Sequence, residues 1–75
     1  MSHTVVAELV AAVMKVEVAV GQRVAAEDPV VLLESMKMEI PVLAEVAGSV
    51  VEVVVGEGDV VSDGDPLVVI EPDRS

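Results

Sequence analysis

The sequence predicts an all-β domain: a flattened barrel or sandwich of two four-stranded antiparallel sheets with an approximate two-fold internal repeat. Three observations carry that prediction. The first is composition: 53% of the 75 residues are hydrophobic, valine dominates, and there is no Phe, Tyr or Trp. A side chain branched at Cβ loses freedom in a helix but packs well on a pleated surface. The second is alternation. Val16, Val18 and Val20 are separated by Glu17 and Ala19, the period-two pattern of a strand with one wet face. The third is a repeat: moved by 37 residues, Val5–Glu34 overlays Val42–Glu71 without a gap, with twelve identities in thirty positions.

Valine matches arise easily in so valine-rich a chain. The pairs Gly21/Gly58, Asp28/Asp65, Pro29/Pro66 and Glu34/Glu71 weigh more, because they mark turns and strand ends. Each unit is too small to bury its own apolar face, so the two must cover one another. Closure also shields valine-rich edges from pairing with other chains.

The elements follow in order. Residues 1–3 and 72–75 are expected to be flexible ends around a single domain, 4–71. Thr4–Val10 reads as a first strand and Val13–Val20 as a second, ended by a turn at Gly21-Gln22. Arg23–Ala26 is either a turn or a two-residue bridge. Pro29 holds Asp28 extended, so a strand can begin at Val30, and the run Val30–Leu33 suits burial on both faces. Met38–Leu43 is extended, with Pro41 implying an edge or bulge. Ala47-Gly48-Ser49 is expected to turn the chain into Val50–Val55. Gly56–Asp59 and Asp63–Pro66 are the last turns before a closing strand, Leu67–Ile70.

Fourteen acidic residues against four basic ones give a net charge of -10. That field opposes binding to nucleic acid or to an anionic membrane surface. No apolar run approaches the ~20 residues that cross a bilayer, and the N-terminus has no basic segment leading into an apolar one. A cytoplasmic protein, monomeric when isolated, is expected. Cysteine is absent, so neither disulfides nor thiolate metal sites are available. His3 is the one histidine, and Ser35, Ser49 and Ser62 have no histidine partner within the expected domain. The carboxylates fall on strand faces and turns, where solvated charge is ordinary. Catalysis by this chain alone is not expected.

Lys37 is different. It lies in Glu34-Ser35-Met36-Lys37-Met38-Glu39, the seam between the repeats, where it has no repeated counterpart. A tight hairpin there projects the amine into solvent. Flexible, polarizable methionines on both sides can plug a barrel end, or serve as adaptable contacts for successive partners. A protruding amine on a rigid acidic module suits covalent attachment of a carried group. Its ammonium must first lose a proton, and a separate ligase would supply the base that accepts it.

Met36-Lys37-Met38, with Glu34 three residues before the lysine, resembles the biotin-acceptor motif of the biotin/lipoyl-attachment family. Gly58-Asp59, Val61, Gly64-Asp65 and Leu67 resemble the family's second half, and the likeness covers nearly the whole chain. It is similar to the small stand-alone bacterial biotinylated proteins of the biotin carboxyl carrier type. The resemblance implies biotin joined covalently to Lys37 by a biotin protein ligase. It further implies a carrier role between biotin carboxylase and carboxyltransferase subunits, Met36 and Met38 serving recognition and Glu34, Ser35 and Glu39 flanking it. The alternatives are a lipoyl carrier, whose lysine normally lies between Asp and Ala, or a biotin reservoir or regulatory β module without a carboxylase. Ser35 stands where the family usually has alanine, and Gln22 where it has aspartate. Ala11-Ala12-Val13-Met14 replaces a Pro- and Gly-rich opening turn.

Overall fold

A computed structural model describes residues 1–73; residues 74 and 75 of the expected flexible tail lie outside the described residues. The strands are β1 (His3–Val6), β2 (Ala11–Val16), β3 (Arg23–Val24), β4 (Pro29–Ser35), β5 (Met38–Leu43), β6 (Gly48–Val53), β7 (Val60–Val61) and β8 (Pro66–Pro72). No helix among the described residues is long and apolar enough to cross a membrane.

Two antiparallel four-stranded sheets, ordered β1-β8-β6-β3 and β5-β4-β2-β7, face each other in a body of 39 × 18 × 16 Å. The repeat is accurate to the residue: β2, β3 and β4 recur as β6, β7 and β8 at the 37-residue offset, with the same burial pattern in each pair. The halves interleave, since each sheet takes strands from both. Neither half can therefore close a sheet without the other. Bulges recur as well, between Val13 and Lys15 and between Val50 and Glu52.

The core is aliphatic. Val30, Val31 and Leu33 on β4 and their equivalents Leu67, Val68 and Ile70 on β8 are fully buried, and among the described residues no polar side chain is buried with them. Such packing sets a rigid frame, because interiors of this density leave little room for side chains to move.

Several boundaries differ from expectation. The first strand stops at Val6 because Ala7 turns away to the 62–65 segment: its N–H donates to Asp65 O (2.9 Å), and its carbonyl accepts from Gly64 N–H (2.8 Å). The second begins earlier, at Ala11, and ends at Val16; the bulge at Met14 resets the alternation that the valines display. Arg23-Val24 is a two-residue strand. Pro29 itself opens β4, and β8 is longer than Leu67–Ile70. Gly48 and Ser49 belong to β6 instead of forming a turn. Glycine is required there because a Cβ would collide with the Glu71 carbonyl oxygen of β8. Val54 and Val55 lie beyond β6. At the chain ends, strand structure reaches His3 and Pro72, one residue beyond each expected limit.

Candidate functional site

The lysine-bearing segment is a two-residue hairpin. Register pairs Ser35 with Met38, Glu34 with Glu39 and Leu33 with Ile40. Met36 and Lys37 form the turn with φ of 52° and 65°. Positive φ at both central positions is the type I′ geometry, whose twist matches that of the flanking strands. Asn-Gly is the usual filling; a larger side chain there carries backbone strain of about 1 kcal/mol or more. The strain is held by the ladder on either side and by β4, whose inner residues anchor in the core.

The result is projection. Met36 is 91% exposed and Met38 64%, and Lys37 is exposed between them. Met36 and Met38 therefore do not plug the barrel end; their side chains stand beside the amine. Among the described residues, ion pairs join Lys15 to Glu17 (3.5 Å) and Arg23 to Asp73 (2.6 Å), and none joins Lys37 to a carboxylate. Glu34 and Glu39 sit directly opposite one another at the hairpin base, both exposed. Like charges so placed oppose pairing. Neither is recruited to the lysine.

Ser35 has a second role. Its Oγ donates to Val10 O (3.2 Å), tying the hairpin base to the segment that links β1 to β2. All six residues from Glu34 to Glu39 thus belong to one hairpin. The contact with Val10 was not legible in the sequence, because the two residues are 25 positions apart and Val10 reads as part of a strand. The glutamine-for-aspartate difference at Gln22 is also resolved locally. Asp59 Oδ2 accepts from Gly56 N–H at 2.8 Å, and Gln22 Oε1 accepts from the equivalent Ala19 N–H at 3.2 Å. The longer side chain keeps the turn.

Chemically, the hairpin offers one accessible primary amine, and no group of metal-ligating side chains stands beside it among the described residues. It can be acylated by an outside catalyst.

A family model described as "Biotin-requiring enzyme", covering biotin and lipoyl attachment domains, matches residues 2–70. The chain belongs to the biotin/lipoyl family. A biotin/lipoyl domain is a carrier module, not a catalytic one. The domain is 57% identical over 42 residues to biotinylated protein TB7.3 of Mycobacterium tuberculosis, a match covering 56% of this chain and 59% of that protein. It is 55% identical over 42 residues to the TB7.3 homolog of Mycobacterium leprae, with the same coverage of 56% and 59%.

Among solved structures, this biotin/lipoyl domain superposes on Kluyveromyces lactis urea carboxylase with TM-score 0.89 and 34% identity, covering 95% of this chain and 6% of that one. A single-chain, multi-domain long-chain acyl-CoA carboxylase gives TM-score 0.90 and 34% identity, with coverage of 99% and 7%. The lipoyl domain of the Azotobacter vinelandii 2-oxoglutarate dehydrogenase complex gives TM-score 0.70 and 31% identity, with coverage of 85% and 82%. The all-β fold and the biotinyl character agree with the expectation from the sequence.

Proposed function

We infer that this chain is a biotin carboxyl carrier-type protein, biotinylated on Lys37 by a biotin protein ligase. The observation that carries the reading is the hairpin: an exposed amine at a strained I′ tip, between two exposed methionines, with no carboxylate partner among the described residues. In the modification step Lys37 Nζ loses a proton to the ligase and bonds to the activated biotin carboxyl carbon. The activating group leaves and an amide remains. Once bound, biotin supplies the chemistry of carboxyl transfer. The chain's residues hold the attachment point rigid, keep it away from the core and present Met36, Met38, Glu34, Ser35 and Glu39 to whatever surrounds it.

The partners on this reading are the ligase, a biotin carboxylase and a carboxyltransferase, with neither nucleic acid nor membrane. The acidic surface supports that exclusion, and we place the carrier in the cytoplasm as a monomer when isolated. A lipoyl carrier is the second reading, favoured by the likeness to the lipoyl domain. Co-expression with a biotin ligase and intact-mass measurement separates these readings. One biotinyl group on the wild type and none on Lys37→Arg is expected; an unmodified wild type, or a lipoyl group in its place, overturns the biotin reading. Supplying the biotinylated chain to biotin carboxylase with ATP and labelled bicarbonate then tests the carrier role. Label that never reaches the chain marks a reservoir.

A further inference from the structure

The scaffold is nearly two-fold symmetric, yet one surface feature is not. A groove of about 270 Å³ runs between the segment following β1 and the edge strand β5. Two pairs of its residues obey the repeat: Val6 with Leu43, and Glu8 with Glu45. The groove therefore crosses the two-fold axis. Its remaining lining breaks the symmetry, for Leu9, Ile40, Pro41 and Val42 contribute while their equivalents Val46, His3, Thr4 and Val5 do not. On that other side His3 Nε2 lies 2.8 Å from Glu45 Oε1 and spans the gap. The groove is skewed towards the Lys37 hairpin, and Ser35 ties its wall to the hairpin base through Val10.

The occupant can be argued from the edge. Pro41 pairs opposite Leu32, and a proline is tolerated in a ladder when its nitrogen faces away from the neighbouring strand. The free side of β5 thus lacks a donor at that position, which blunts the addition of another strand. A compact group suits the groove better than an extended peptide. Lysine with a biotinyl arm spans about eleven bonds to the ring, roughly 13 Å extended. Ile40 lies three residues from Lys37, about 10 Å along a strand.

We propose that the Leu9–Ile40–Pro41 end of this groove is a resting dock for the biotin ring tethered to Lys37, a proposal that rests on the biotinylation reading. The fused ring lies against the aliphatic floor, and the Glu8 carboxylate at the rim accepts from a ureido N–H. Glu8 and Glu45 also repel added negative charge on the ring, so the groove selects the neutral form and surrenders a charged one. The dock shelters the apolar face of a ring that would otherwise wave in water.

The test compares backbone amide spectra of the full chain, ¹⁵N-labelled, before and after enzymatic biotinylation, with intact mass fixing the extent of modification. Shifts at Leu9, Ile40, Val42 and Leu43, with none at Arg23, Val24 and Ser49, are expected. Pro41→Glu or, independently, Glu8→Ala should reverse those shifts; if the ring is docked half the time, either should speed streptavidin capture about twofold. Full biotinylation with changes confined to residues 35–39 overturns the dock and leaves the biotinylation reading standing. Absence of the added mass overturns both.

Discussion

The two ends of the molecule are built from equivalent strands and finished differently. At one end β4 turns into β5 through Met36 and Lys37. At the other, β8 and β1 pair antiparallel with no hairpin between them. Glu34 and Glu71 are repeat equivalents. Glu71 receives the N-terminal ammonium at 3.2 Å, Glu45 meets His3, and Asp73 meets Arg23. Glu34 instead faces Glu39, and Lys37 faces solvent. Exposed ion pairs contribute little to stability, so the contrast concerns availability more than strength. Among the described residues, charges at the terminal end find partners, while those of Glu34, Lys37 and Glu39 at the hairpin end find none, on a strained backbone. The same scaffold can thus serve as an anchor at one end and a presenting surface at the other.

The contrast can be broken or sharpened by substitution, beginning with the largest effect on stability. Gly48→Ala forces β6 and β8 apart at the Glu71 carbonyl and should cost about 2–3 kcal/mol. Its equivalent on β2, Ala11→Gly, should cost about 1 kcal/mol or less. Urea midpoints measure both, and equal costs would show that the close approach is not specific to the terminal end. Met36→Gly relieves one positive-φ residue and should raise stability by roughly 1 kcal/mol by the same measurement. A loss instead would show that the methionine packs where it is exposed here. Gln22→Asp should restore the shorter cap and add about 0.5 kcal/mol. Glu39→Gln removes the repulsion opposite Glu34 and should gain a few tenths of a kcal/mol, fading as salt is added. The corresponding Glu71→Gln should gain nothing, because its carboxylate is already paired with the N-terminus.

Much of the frame was legible from residues that act locally. Gly21 and Gly58 carry positive φ in equivalent turns, and Pro29 and Pro66 open equivalent strands, so their matched spacing reported the repeat directly. The hairpin was legible too, since it falls in the gap between the units. Its turn type was not, because neither Met36 nor Lys37 prefers the left-handed region and the cost is absorbed by long-range packing. Interleaving of the halves also escaped the sequence: β3 and β7 are two residues long, and pattern alone cannot assign so short a strand to a sheet. The groove was hidden for a third reason. Ala7 leaves the sheet to bond the distant 62–65 turn, which removes Glu8, Leu9 and Val10 from the strand their pattern suggests.

Two lysines make the central claim directly testable. Lys15 lies within β2 and is paired with Glu17, whereas Lys37 on the hairpin has no ion-pair partner among the described residues. The decisive measurement is peptide mapping of the modified residue by tandem mass spectrometry after co-expression with a biotin protein ligase. The account predicts biotin on Lys37 and none on Lys15. Biotin on Lys15, or on both lysines equally, would contradict it.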